Sequence, residues 1–351
     1  MVKLAGGIVA IIIDEYGSEE FLRRISDPFW FQALSCVLAY DWHSSGCTTV
    51  TCGALKEALK PKEHGLKVVG GKGKVSRQTP VEIEKLDYMF TFSTNTIEKL
   101  KYASKICAKV DNSLIQDNYQ LYHHVMIVTE KGKWSIIQQG LQIDKRYARR
   151  YHWLSEHVEN FVSEPHNAIV GDDRQERVLN MTAKQSISTQ KVSIDLVNDG
   201  PQHLKRDWAE LTRPKNQQTL DSWIHPERNK KPLAHLDMPR NINWQKMKEI
   251  YDVHPTSYEE LLALKGVGPS TVRGLALISE LIYGEAPSWE DPVRFSFAYG
   301  GKDGVPRVVD RKEMDESIEI INHGIEQAKI GNKDKIQALR RLKEFIPNTA
   351  I

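Results

Sequence analysis

The sequence predicts a mostly α-helical α+β protein: a helix-rich N-terminal domain carrying a small antiparallel hairpin or sheet, followed by an all-α C-terminal domain. Three observations carry this expectation. Apolar residues recur at helical spacing through the first hundred residues and again after residue 241. Two β-favouring runs flank "EKGK" at 130–133, a stretch with turn chemistry. Residues 205–240 place Pro214, Pro226, Pro232 and Pro239 in a dense polar background, as a linker does. A chain of 351 residues has room for two or three cores, so the domains are expected at 1–204 and 241–351, with 205–240 between them.

Taken in order, "VKLAGGIVAIIIDEYG" and "SEEFLRRI" have helical spacing, with Gly17 closing the first helix and Ser18 capping the second. Asp27 followed by Pro28 is a start signal for "DPFWFQALSCVLAY". "TTVTCGALKEALK" is amphipathic, "VVGGKGKVSRQTP" breaks the pattern, and "TPVEIEKLDY" and "TIEKLKYASKICAKV" resume it. From Tyr119 the period shortens to that of a hairpin, "YQLYHHVMIVTEKGKWSIIQQG". "KRYARRYHWLSEHVENFV" reads as a helix, and "DRQERVLNMTAKQSISTQKVSIDLVND" as one or two helices ending near Gly200. In "TSYEELLALKGVGPSTVRGLALISELIYG", two amphipathic helices meet at Gly266, Val267 and Gly268. Thr256 and Glu259 make a capping box, and Pro269 opens the second helix.

Composition sets limits on function. The formal net charge is only +2, so a nucleic-acid footprint must be local. Cys36, Cys47, Cys52 and Cys107 show neither a CxxC pair nor zinc spacing and read as reduced intracellular thiols, several of them in the core. The run "IVAIIIDEYG" is too short to span a bilayer and lacks a basic leader, which predicts a cytoplasmic protein with no membrane partner. "GGKGK" lacks the spacing of a phosphate-binding P-loop, so ATP is not expected.

The C-terminal pair of helices resembles the helix-hairpin-helix motif of DNA-repair and recombination proteins in its "LxxLxGVGPxT" form. The resemblance implies a DNA-backbone contact through Lys265, Gly266, Val267, Gly268, Ser270 and Thr271. Glycine permits φ > 0 and close approach, and the following helix N-terminus favours a phosphate. Such a grip is independent of base sequence; the alternative is a helical hairpin with nothing bound. Some proteins with this motif are base-excision glycosylases with an aspartate downstream, which the resemblance matches to Asp310 in "VPRVVDRKEMD". Ser270 stands where lyase-competent members carry lysine, implying a monofunctional type with water as nucleophile. The intervening "DPVRFSFAYGGKDG" lengthens the separation, and a surface or capping role for Asp310 stays open.

The N-terminal region concentrates His, Gln, Asn, Arg, Tyr and Trp in "DWHSSG", "GGKGK", "VDNSLIQDNYQLYHH", "WSIIQQG" and "RYARRYHWLSEH". Base edges need amide and imidazole partners, base faces need aromatics, and phosphates need cations. The expected catalytic set is therefore Asp41, His43, Gln116, Asp117, His123 and Gln138, with Lys72, Lys74, Arg149 and Arg150 on phosphates. The competing reading is amphipathic packing beside solvated arginines. Asp41, His43, Asp111 and Asp117 would also suit a metal-dependent nuclease, but no ligand spacing fixes a metal site, and Mg²⁺ is required only under that reading.

In the linker, "NQQTLDSWI" supplies Gln217, Leu220, Trp223 and Ile224. A 3₁₀ turn puts Leu220 and Trp223 on one face as an apolar plug, with Gln217 at its edge. This resembles the peptide by which archaeal and eukaryotic DNA enzymes bind the sliding clamp, PCNA; docking on the protein's own body is the alternative. Nearly the whole chain resembles domain-of-unknown-function family 763, through "SDPFWFQALSCVLAYDWHSSGCTTVTCGALKEAL", "GGKGKVSRQTP", "ARRYHWLS" and "SFAYGGKDGVPRVVDR". That resemblance implies one co-inherited unit, and a segment ahead of the position of Met1. The expectation is a DNA-repair or DNA-processing enzyme, a glycosylase ahead of a metal-dependent endonuclease. The alternative of a different class is a non-enzymatic DNA-binding adaptor of the clamp.

Overall fold

A six-stranded sheet separates two helical layers. The computed structural model describes residues 1–38, 46–145, 147–171, 173–212, 238–239, 242–296 and 311–345. Helices α1 (Val2–Tyr16), α2 (Ser18–Ser26), α3 (Pro28–Val37), α4 (Cys47–Ala58) and α5 (Pro61–His64) precede β1 (Leu66–Lys72). A 3₁₀ turn (Gly73–Gln78), α6 (Thr79–Glu84), α7 (Asp87–Phe90) and the long α8 (Thr94–Ser113) follow. The strands are β2 (Ile115–Gln116), β3 (Gln120–Thr129), β4 (Trp134–Gln142), β5 (Tyr147–Leu154), β6 (Ala168–Gly171) and β7 (Leu179–Asn180). Helices α9 (Ile187–Asn198), α10 (Pro201–Thr212), α11 (Trp244–Val253), α12 (Tyr258–Ala263) and α13 (Pro269–Leu281) lead to β8 (Phe295–Ser296). Helices α14 (Arg311–Gln327) and α15 (Asn332–Phe345) come last.

The sheet order is β1-β3-β4-β5-β6-β8, antiparallel except for the β6/β8 pair, and β2 pairs with β7 in a separate ladder. The strand period of two sorts side chains between two cores. Leu66, Val68, Val125, Ile127, Ile137 and Leu154 meet α1–α4, α14 and α15. Val69, Met126, Val128, Ile136, Tyr151 and Trp153 meet α8–α13. A mostly helical α+β protein with a small antiparallel sheet is therefore what forms.

Local signals act where the sequence places them, with small shifts. Asp27 Oδ1 accepts from Trp30 N at 2.6 Å, and Pro28 opens α3. Gly17 closes α1 at φ 87° and also caps α2 without a side-chain bond, so Ser18 is the first residue of α2 rather than its cap. The capping box sits one residue later than expected. Ser257 Oγ accepts from Glu260 N at 3.1 Å, and the Glu260 carboxylate accepts from Thr256 N and Oγ1, both at 2.8 Å. The 130–133 hairpin turn closes through Thr129 N to Lys133 O at 2.9 Å.

Three expectations are corrected. "RYARRYHWL" forms β5, not a helix: its residues from Ala148 to Leu154 are buried on both faces, so no polar face marks the period. The segment from Asp173, read as one or two helices, forms β7 before its helix α9 begins. Strand β1, in a stretch read as a break, depends on Gly70: at φ 88° its backbone lies so close to β3 that a Cβ would sit 2.3 Å from His124 O.

The domain boundaries also move. The 204/205 boundary falls inside α10, whose Trp208 is buried in the second core. The described residues of 241–351 do not share one core. Helices α11–α13 complete the second core, whereas Ile321, Ile325, Ala338 and Leu342 of α14 and α15 complete the first, on the other face of the sheet. Strand β8, at the sheet edge beside β6, lies between them in sequence.

Candidate functional site

The expected polar residues meet in a belt across the sheet. Strand register sets Lys72 beside His123, His123 beside Gln139, and Gln139 beside Arg150. The next row aligns Gly71, His124, Gln138 and Tyr151. Successive residues point to opposite faces, so the two rows serve different cores.

Facing the second core, hydrogen bonds run in a chain. Ser104 Oγ lies 2.8 Å from His124 Nε2, and His124 Nδ1 lies 2.8 Å from Gln138 Oε1. Gln138 Nε2 donates to Asp111 Oδ2 at 2.5 Å, and Trp153 Nε1 donates to the same oxygen at 3.1 Å. Asp111 Oδ1 meets His166 Nε2 at 2.5 Å. Burial lowers the His124 pKa, against the pull of Gln138 and Asp111, which keeps a neutral ring inside the chain.

Arg149 lies in a second buried cluster. It donates through Nη1 to Asp117 Oδ2 (2.7 Å) and Asp291 Oδ1 (3.0 Å), and through Nη2 to Asp291 Oδ2 (2.8 Å). Its guanidinium also lies 4.5 Å from the Tyr119 ring centroid. Burial raises the Asp117 pKa although Arg149 and the Tyr151 hydroxyl both oppose it. Arg149 is 0% exposed and joins β5 to the segment before β8, so it positions the fold and does not reach a phosphate.

On the opposite face, Arg150 is equally buried, with Nε 2.7 Å from His152 Nε2 and its guanidinium 4.2 Å from the Phe31 ring centroid. A surface phosphate contact is excluded for it as well. His123 is buried and neither ring nitrogen has a hydrogen-bond partner; burial, with His124 and Lys72 adding, pushes its pKa down to about 3. Lys72 and Lys74 are exposed around the 3₁₀ turn, and Lys72 Nζ stands 5.8 Å from the Tyr122 ring centroid.

The turn between α12 and α13 is glycine-rich and largely exposed. Gly266 adopts φ 94°, Val267 is buried beneath it, and Lys265 and Ser270 are exposed. Gly268 caps α13 and, having no side chain, makes no side-chain cap hydrogen bond to the helix N-terminus. Thr271 is buried. Lys109 Nζ donates to Leu264 O at 2.5 Å, and burial, with Lys105 nearby, lowers its pKa to about 8. Gln116 fastens this turn to β2: its Nε2 donates to Pro269 O at 2.8 Å and its Oε1 accepts from Arg273 Nε at 3.0 Å. A cleft of about 910 Å³ opens beside that contact, lined by Asn112, Asn118, Gln120, Gln142 and Arg273 among others.

The expected catalytic set is thus divided. Gln138 and Asp117 face the second core, His123 faces the first, and Gln116 lies on the separate β2–β7 ladder. Asp41, His43 and Asp310, and the clamp-like Gln217, Leu220, Trp223 and Ile224, lie outside the described residues. Among the described residues no group of three or more His, Cys, Asp or Glu side chains is placed to hold a metal ion. Asp111 and Asp117 are engaged by separate partners. His166 was not singled out from the sequence. Its signal was only a lone histidine after a proline, and Asp111, its partner, is 55 residues away in the chain.

Fold and site together define a class: an α/β/α sandwich with a polar belt across its sheet and an exposed glycine-rich turn between two helices. The chain belongs to the family described as "Protein of unknown function (DUF763)", whose family model matches residues 1–309, ending ahead of α14 and α15. No match is found among curated proteins or among solved structures. No helix among the described residues is long and apolar enough to cross a membrane.

Proposed function

We propose that the protein is a DNA-processing enzyme that grips the duplex backbone at the α12–α13 turn, a helix-hairpin-helix grip, and is recruited to the sliding clamp by the 216–224 segment. The observation that carries this reading is Gly266 at φ 94° beside the side-chain-free cap Gly268, with Lys265 exposed at the same turn. Backbone N–H groups at an open helix N-terminus, with a cation beside them, bind phosphate whatever the bases. Base excision is the leading chemistry, because the amides of Asn112, Asn118, Gln120 and Gln142 line the open cleft beside the turn, as reading a base edge requires.

One set of variants tests both contacts in the full-length protein. Gly266→Ala with Gly268→Ala is expected to weaken binding to any duplex about tenfold at fixed salt, since alanine resists φ > 0 at Gly266, where its methyl would also collide with the Lys246 side chain, and a methyl on Gly268 projects into open space at the helix N-terminus. Clamp binding should be unaffected. Replacing Gln217, Leu220 and Trp223 by alanine is expected to abolish clamp binding and leave the duplex affinity as it was. Unchanged duplex affinity in the glycine variant, with circular dichroism intact, rejects the grip. Unchanged clamp affinity in the triple variant rejects the recruitment. Duplexes bearing a panel of lesions, with and without Mg²⁺ and alkali, then assign the chemistry: alkali-dependent breaks mean a glycosylase and Mg²⁺-dependent breaks an endonuclease.

A further inference from the structure

A second cleft, beside β6, is not used by the duplex grip. Its volume of about 670 Å³ is of the size that takes a nucleotide-sized ligand. His166 lines it, and its Nε2 is held by Asp111, which is fully buried. The Asp111 carboxylate is itself fixed by Gln138 and Trp153, and the Trp153 ring packs 4.3 Å from the His166 ring. A carboxylate accepts and does not donate, so it selects the Nε2–H tautomer and leaves Nδ1 as the ring's acceptor. This is an oriented imidazole whose free nitrogen has no partner among the described residues.

Arg174 and Arg294 line the same cleft, are exposed, and have no salt-bridge partner among the described residues. Of the three acids that line it, Glu164 is paired with Lys184 and Asp291 with Arg149, leaving Glu290. Two unpaired guanidiniums at one cleft match a phosphate group. Asn167 and Gln185 add amide groups of the kind that meet a base edge. The β2–β7 ladder connects the cleft to the grip: Asn180 on its wall pairs with Ile115, and the neighbouring Gln116 holds Pro269 of the turn.

We propose that this cleft receives one nucleotide of a DNA strand held at the α12–α13 turn. Arg174 and Arg294 take its phosphate, and His166 Nδ1 accepts a hydrogen bond from the nucleotide or from a water beside it. The source of the ligand rests on the duplex-grip reading; the capacity of the cleft to take a free nucleotide does not.

The probe is deoxyadenosine 5′-monophosphate, titrated into full-length protein carrying isotope-labelled histidine. The His166 resonance is identified by its loss in His166→Asn. It is expected to shift on titration, and Arg174→Ala with Arg294→Ala should weaken binding about tenfold or more, with circular dichroism unchanged. The variant Gly266→Ala with Gly268→Ala should bind this nucleotide as the wild type does. A His166 signal that stays fixed at millimolar nucleotide, or equal affinity in the arginine variant, overturns the site. Inorganic phosphate that binds as tightly as the nucleotide reduces it to a simple anion site and overturns the nucleotide assignment. Failure of the grip shows separately, as duplex affinity unmoved by the glycine substitutions while the nucleotide still shifts His166.

Discussion

At the scale of single residues, the polar belt is held neutral or paired by burial. His123 is the sharpest case, because both its ring nitrogens are buried without hydrogen-bond partners. Burial lowers its pKa from 6.5 to about 3, and His124 and His152 are lowered for the same main reason. The folded state therefore refuses protons that the unfolded chain accepts. For His123 the stabilisation is fully present above about pH 6.5 and is lost as pH falls toward 3, on the order of 1 kcal/mol per pH unit; His124 and His152 act in the same direction. Asp117, whose pKa is raised by burial, acts in the opposite sense. Urea unfolding at pH 7 and pH 5 is expected to show a clear loss on acidification, and His123→Leu should lessen it. Equal losses in wild type and variant would show that His123 does not carry the effect.

At the scale of elements, α10 and α13 are locked by a size match. A Cβ on Gly274 would lie 1.9 Å from Cη2 of Trp208, so the α13 backbone meets the indole with no room for a methyl. Trp208 in turn meets Trp244 of α11 edge-on, with ring centroids 5.8 Å apart. Glycine within a helix costs up to about 1 kcal/mol relative to alanine, so its presence here is explained by packing rather than by propensity. Gly274→Ala is expected to destabilise by roughly 1–3 kcal/mol through overpacking. In a Trp208→Ala background the same change should be neutral or stabilising. A double-mutant cycle reads the difference as a coupling energy, and additive effects would mean that the two helices do not meet in this way.

At the scale of the molecule, the two cores share one sheet, and the C-terminal third of the chain is divided between them. Helices α11–α13 cover α8 and α9, while α14 lies on α1, where a Cβ on Gly7 would meet Ala328 Cβ at 2.8 Å and Glu15 Oε1 lies 2.7 Å from His323 Nε2. A fragment ending at residue 204 would expose Val110, Leu114 and Ile115 on one side and Ile8 and Ile12 on the other. It is expected to lack a cooperative thermal transition, because exposed apolar area of this kind is what folding must bury. A sharp transition in that fragment, with dispersed amide resonances, would contradict the shared-core architecture. The same sharing places the α12–α13 turn, the β2–β7 ladder and the His166 cleft in one body.

Features that depend on neighbouring residues were legible in the chain. Asp27 before Pro28 started α3, Gly17 ended α1, the turn at 130–133 made the β3–β4 hairpin, and Gly266 with Gly268 shaped the α12–α13 turn, because each is a matter of backbone preference over a few residues. The sequence also pointed to His123, Gln138, Arg149 and Arg150 as a group, since ordinary cores do not need this mix of polar, cationic and aromatic residues. Only tertiary structure decided which of them are sealed. Arg149 and Arg150 read as phosphate contacts until Asp117 and Asp291, and the Phe31 ring, close around them from distant parts of the chain. Strand β5 was illegible for the same reason: with both faces buried, its pattern has no polar side to show the period. The pairing of Asp111 with His166, and the placement of 311–345 on the far side of the sheet from α11–α13, are set by long-range packing. Local sequence periodicity carries no record of which face meets which.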